Sequence, residues 1–186
     1  MWIFTLDLIL ITSQPFLGLV SIMKRIGLLS DTHNFLDPNI FKHFDACDEV
    51  WHAGDFGNIK LAEQLSSFKP LKGVFGNIDG FDVRSVYPEV SKWKCEEVSV
   101  LMKHIGGYPG KYTPPVKAEM KTSPPKLFIS GHSHILKIMY DEEFGCLHMN
   151  PGACGKEGWH KMRTIVRFVI DGNQIKDCEV IELGKR

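Results

Sequence analysis

The sequence lacks an excess of charge of either sign: 22 basic side chains stand against 22 acidic ones in 186 residues. A neutral chain has no extended electrostatic footprint for nucleic acid, although this leaves a local basic patch open. A cysteine framework is missing as well. Cys47, Cys95, Cys146, Cys154 and Cys178 are odd in number, scattered, and without a C-x-x-C pair. That excludes a disulfide scaffold and points to free thiols in a cytoplasmic setting. Internal repeats and a domain linker are absent too. With ordinary hydrophobic content (44%) and ordinary charged content (24%), the chain reads as one globular domain with a full core, neither disordered nor fibrous.

Targeting features are equally scarce. Residues 1–22 are apolar, with Asp7 the only charge, but no early Lys or Arg and no small-residue cleavage site accompany them, as a secretory signal requires. Thr12-Ser13-Gln14-Pro15 breaks the run well short of the about 20 apolar residues of a membrane span. The favoured reading is an apolar leader over 1–22, upstream of a true start at Met23, with 23–186 as a single domain that makes no membrane contact. A signal or anchor is the alternative.

After Met23 come short apolar runs separated by helical patterns. Strands are expected over 25–30, 49–52 and 71–75, a weak helix over 39–44, and a helix over 59–68 capped by Asn58 and stopped by Pro70. Such alternation favours an α/β fold with a mainly parallel sheet. The second half is richer in strand: 97–102, 126–130, 135–140, 146–149, and a hairpin of 163–170 with 174–183 around Asp171-Gly172. Residues 106–125, with five prolines, read as a long surface loop holding at most a helical turn or two. Two sheets in one domain are expected, and apolar surface on the C-terminal hairpin leaves a homo-oligomer open.

The polar residues at the ends of the apolar runs are the informative part. The first five runs end in Asp31-Thr32-His33, in His52-Ala53-Gly54-Asp55, in Gly76-Asn77, in His104, and in Gly131-His132-Ser133-His134. In open α/β sheets, ligands bind at the carboxyl ends of strands. Side chains at i and i+2 of extended chain point the same way, so Asp31 with His33, and His132 with His134, can each aim two donors into one crevice. Mixed nitrogen and oxygen donors without thiolate suit Mn²⁺, Fe or Zn²⁺. Seven donors are too many for one tetrahedral ion and suit two ions sharing a carboxylate. Taken singly, each piece has a plainer reading as a cap, a turn or a surface histidine; their joint appearance at strand ends does not.

In that order, D-x-H, G-D, G-N, H, G-H-x-H, the chain resembles the calcineurin-like metallophosphoesterase superfamily. Its short length and Asn150-Pro151-Gly152 look most like the small bacterial and archaeal phosphodiesterase branch, which includes a eukaryotic retromer scaffold subunit. The resemblance implies a two-sheet α/β sandwich with a dimetal site at the carboxyl ends of the strands. It implies one ion on Asp31, His33, Asp55 and His134, and a second on Asp55, Asn77, His104 and His132, with Asp55 bridging. It further implies hydrolysis of a small phosphodiester by metal-activated hydroxide, with manganese favoured and nickel, iron or zinc as alternatives. Many relatives carry a histidine after the Gly-Asn pair as the leaving-group acid; here that position is Ile78, which transfers no proton. A weakly active or inactive protein–protein interaction module on the same fold is the main rival, and a phosphomonoesterase the third reading.

Other residues carry smaller expectations. His52 is a candidate for orienting a loop or ligand from behind the site. His148, two before Asn150, is expected to face solvent from its strand, with an approach to the site as the alternative. Cys154 is expected to be inert, the lysines around 103–126 to be solvated, and His43 and His160 have no assigned role.

Overall fold

The structure, a computed structural model, describes residues 23–186. The leader reading of 1–22 lies outside the described residues. The elements run β1 (Lys24–Leu29), α1 (Asn39–His43), β2 (Glu49–His52), α2 (Ile59–Phe68), β3 (Leu71–Gly73), α3 (Phe81–Arg84), β4 (Val90–Cys95), β5 (Val98–Lys103), α4 (Pro114–Thr122), β6 (Leu127–Ile129), β7 (Leu136–Asp141), β8 (Cys146–Pro151), β9 (Met162–Asp171) and β10 (Gln174–Lys185). They build two five-stranded sheets, ordered β10-β9-β1-β2-β3 and β4-β5-β6-β8-β7.

Side-chain alternation sorts the strands into layers. Ile26 and Leu28 of β1 join Val100 and Met102 of β5 and Ile129 of β6 in a core between the sheets. Trp51 is fully buried there and packs edge-to-face on Trp93 and Phe168, with centroids 4.9 and 5.6 Å apart. Leu29 faces the other way, against Ile40, Phe44, Leu61 and Leu65 of the α1–α2 region. Leu101 and Phe128 likewise turn outward to Val116 and Met120 of α4. The result is the expected two-sheet sandwich, with helices on both outer faces.

Three expectations need correction. The sheets are mixed, not mainly parallel: β1–β2, β2–β3, β5–β6 and β6–β8 are parallel, while β1–β9, β9–β10, β4–β5 and β7–β8 are antiparallel. Strand–helix–strand connections govern only the sheet centres, and tight hairpins add the edges. The 106–125 segment contains a nine-residue helix, α4, with prolines in its first turn, where their missing N–H groups have no intrahelical partner to lose. His148 is 1% exposed instead of solvent-facing. Its strand lies between β6 and β7, and its Nε2 is 3.1 Å from Ser130 Oγ.

Burial pushes the His148 pKa down to about 4. The unfolded chain therefore takes up a proton near pH 6.5 that the folded chain refuses. The associated stability is complete above pH 6.5 and is lost as pH falls, by about 3 kcal/mol at pH 4. Urea midpoints at pH 7 and pH 4.5 are expected to fall less in His148→Gln than in the parent chain. Equal declines would contradict this.

Candidate metal centre

Six of the seven expected ligands converge beyond the carboxyl ends of β1, β2, β5 and β6. Asp31, His33 and His134 form one trio, and Asp55, His104 and His132 another; within each, one donor atom per residue lies within 4.8 Å of the others. Asp55 Oδ2 is 3.2 Å from His104 Nε2 and 3.4 Å from His33 Nε2, so it touches both trios. His134 Nε2 is 3.2 Å from Asp31 Oδ1. Asn77 is exposed on the turn after β3 and lines one hollow together with His104.

The backbone does not hold these groups in the expected extended conformation. Asp31, His33, Asp55, His132 and His134 all have positive φ, between 45° and 67°. The left-handed region costs a non-glycine residue about 1–2 kcal/mol, and such strain concentrates at functional sites. Each strand thus ends before its ligands, and left-handed turns aim them. The i, i+2 reasoning brings these residues to one crevice on a premise of extended chain that the backbone does not follow.

The donors fit divalent cations. Asp31 Oδ1, His33 Nε2 and His104 Nε2 are buried and have no hydrogen-bond partner, although oppositely charged atoms lie 3.2–3.9 Å away. Buried polar atoms are rarely left so, and a cation among them would satisfy all three. The other atoms of these side chains are engaged. His104 Nδ1–H donates to the Ala53 carbonyl at 2.7 Å, and in the neutral ring this leaves Nε2 with the lone pair. Asp31 Oδ2 accepts the His132 N–H at 3.1 Å, and Asp55 Oδ1 the Ile78 N–H at 3.0 Å.

The carboxylates and imidazoles shift one another. Burial by itself would raise the carboxyl pKa of Asp31 and Asp55. The facing imidazoles, His134 and His33 at Asp31 and His104 and His33 at Asp55, outweigh it and hold both well below the usual range. Asp31 and then Asp55 raise His33 to about 9. Burial, then His104, lowers His132. Cys154 donates to the Ser30 carbonyl at 3.2 Å, and burial pushes its thiol well up, so it stays protonated.

Several supports lie behind the donors. His52 accepts the Gly54 N–H at 3.1 Å through Nδ1, while its Nε2 meets Thr32 Oγ1 at 3.0 Å. It thereby ties the Asp31–His33 turn to the Asp55 turn. Asp79 sits in what the sequence suggests is a plain turn, yet it is buried and accepts three backbone N–H groups, from Asp55, Gly57 and Gly76. The signal for it was an acidic residue two places after Asn77, too short-range to reveal partners 24 and 22 residues away. Asn150 donates to the Gly131 carbonyl and Ser133 Oγ at 2.8 and 3.1 Å, bracing the Gly-His-Ser-His turn. Gly76 approaches so closely that a Cβ there would overlap Asp55 Oδ1, and a Cβ on Gly54 (φ +101°) would lie 2.6 Å from His104 Nδ1. His160 stacks edge-on to His134 with centroids 5.3 Å apart, whereas His43 closes α1 and belongs to neither trio.

Comparisons with known proteins agree with this arrangement. The chain is 27% identical over 165 residues to a probable metallophosphoesterase of Methanothermobacter thermautotrophicus, covering 86% of this chain and 92% of that one. An archaeal phosphodiesterase superposes with a TM-score of 0.67 at 21% identity, over 86% of this chain and 99% of that chain. A single-substitution form of Vps29 from Entamoeba histolytica superposes at 0.65 with 14% identity, over 86% and 99%. At such identities the superpositions show the fold alone. The profile of the calcineurin-like phosphoesterase superfamily domain matches residues 23–173. The chain therefore belongs to the calcineurin-like phosphoesterase superfamily, whose chemistry is metal-dependent phosphoester hydrolysis on two divalent ions.

Proposed function

We propose that the chain is a dimetal phosphodiesterase acting on a small diester, with Asp31, His33, Asp55 and His134 around one ion and Asp55, Asn77, His104 and His132 around the other. The convergent, buried and unpartnered donor atoms of Asp31, His33 and His104 carry this reading. A diester is favoured over a monoester because two hollows flank the second trio. One, about 260 Å³, includes His132; the other, about 280 Å³, includes His104 and Asn77; Ile105 lines both. A diester has two arms to place, a monoester one. Five free cysteines suit action in the cytoplasm.

When bound, two divalent ions supply Lewis acidity, a water nucleophile at neutral pH and charge neutralisation on the phosphoryl group. The protein supplies position. Asp55 is held by the Ile78 and Asp79 contacts between the trios. The Ala53 carbonyl fixes the His104 tautomer. The side chain at position 78 delivers no proton to the leaving oxygen. Manganese is favoured for the mixed nitrogen and oxygen donors, with nickel, iron and zinc as alternatives.

The interaction-module reading draws on the Vps29 superposition and on Trp159, which is 99% exposed in the loop that brings Gly158 and His160 against His134. A complete donor set weighs against it. The deciding experiment uses chain begun at Met23 with Mn²⁺ and compares bis(para-nitrophenyl) phosphate with its monoester. The diester is expected to win in kcat/KM by about tenfold or more, the scale of discrimination by a shaped pocket. Faster monoester hydrolysis would favour a phosphomonoesterase. No hydrolysis with Mn²⁺, Ni²⁺, Fe²⁺ or Zn²⁺, despite two bound ions by elemental analysis, would favour the interaction module.

A further inference from the structure

The hollow beside His132 has a composition of its own. Its volume of about 260 Å³ falls below the roughly 300–1,000 Å³ of sites for drug-sized ligands, so it admits one compact group. No carboxylate lines it, and Lys137 stands at its wall with Nζ 3.4 Å from the centroid of the Tyr108 ring. Two wall residues, Thr113 and His148, hold buried polar atoms without a partner, Oγ1 and Nδ1. Ser130 gives its proton to the Gly107 carbonyl at 3.3 Å and meets His148 Nε2 at 3.1 Å. Nε2 is thus engaged, and Nδ1 is the ring nitrogen left without a partner. Asn150, also in the wall, is saturated: its amide donates to Gly131 and Ser133, and its carbonyl accepts from Gly152. The wall therefore leaves His148 Nδ1 and Thr113 Oγ1 without partners, and it offers a cation. A hydroxyl group meets these needs together, since it donates and accepts at one oxygen.

We propose that this hollow binds one ester arm of the substrate and selects a compact hydroxylated alcohol, of pentose size, against a cationic arm. The inference rests on the phosphodiesterase reading and names its substrate class. Lys137 repels a quaternary ammonium group, while Thr113 and His148 take up the hydroxyl. Ile105 and Ile135 cover the carbon skeleton from the rim, where both are partly exposed.

The test uses three diesters that share a para-nitrophenyl leaving group, so that rate differences belong to the other arm. They are the para-nitrophenyl ester of thymidine monophosphate, para-nitrophenyl phosphorylcholine and bis(para-nitrophenyl) phosphate. The thymidine ester is expected to exceed the choline ester in kcat/KM by about 100-fold. That ratio is expected to fall about tenfold in Lys137→Met, through faster choline-ester hydrolysis once the repulsion is gone, and about tenfold in Thr113→Val, the equivalent of one lost polar contact. Equal rates on the three arms, or ratios that neither substitution alters, would overturn the proposal. Thymidine itself is also titrated into the metal-free chain while the His148 ring resonances are followed by NMR. Saturable shifts that weaken in Thr113→Val support the hollow as the arm site, and their absence at millimolar thymidine overturns it. If no diester is hydrolysed, the phosphodiesterase reading fails by itself, and the titration still decides the hollow.

Discussion

Asp55→Asn is expected to lower diester hydrolysis by at least about 10³-fold, the upper end for removing one preorganised electrostatic partner. The amide keeps the shape of the carboxylate and loses its charge. One oxygen of Asp55 lies 3.2 Å from His104 and 3.4 Å from His33, and the other receives the Ile78 N–H at 3.0 Å. Among the described residues, no other side chain meets histidines of both trios at so short a distance, so under the proposed function its charge would serve both ions. Elemental analysis is expected to show less than two ions per chain. The fold is expected to persist, since the three N–H groups that shape this loop bind Asp79 instead; circular dichroism checks that. A variant that keeps two ions and full activity would remove Asp55 from the bridging role.

The second large effect concerns position 78. Ile78 is 42% exposed beside Asn77, and its backbone N–H, not its side chain, serves Asp55. With no acid there, the rate is expected to fall steeply as the pKa of the leaving alcohol rises. Ile78→His keeps the main-chain contact and adds a titratable group. It is expected to accelerate hydrolysis of alkyl esters by about 10²-fold, the lower end for general acid catalysis, and to gain little on aryl esters. A series of diesters with graded leaving groups measures both slopes. A flat dependence in the parent chain would show that the proton comes from elsewhere.

Much of the site could be read from the chain because polar residues succeed apolar runs in an unusual order. Asp31, Asp55, His104 and His132 each come after a strand that the residues themselves announce. Asn58 was legible as a cap for the same local reason, and its Oδ1 accepts the Leu61 N–H at 3.0 Å. The rest depends on distant partners. β4 carries Ser91, Lys92 and Lys94 on a half-exposed edge, and only the Trp93 contact with Trp51 reveals why it pairs there. The burial of His148 depends on what covers β8, and the role of Asp79 depends on the Asp55 and Gly57 N–H groups across the crevice. Left-handed turns at the ligands had little warning, because aspartate and histidine adopt positive φ far less often than glycine does.

Those turns set a direction for the protein's history. Five ligand positions hold side chains that their own main chain disfavours. Glycine would relax the main chain at each; at Asp31 and Asp55 the exchange also gives up the His132 and Ile78 N–H contacts, whereas the side chains of His33, His132 and His134 hold no such contact with the backbone among the described residues. At those three histidines, loss of the ligand is therefore downhill for the main chain, and its return is uphill. Bound ions reverse that slope, since a ligand that binds only the native state adds its own stabilisation. Metal supply in the cell then acts as a ratchet on the sequence: while the ions are present the catalytic set is the stable one, and prolonged scarcity favours the descendant that has forgotten the chemistry.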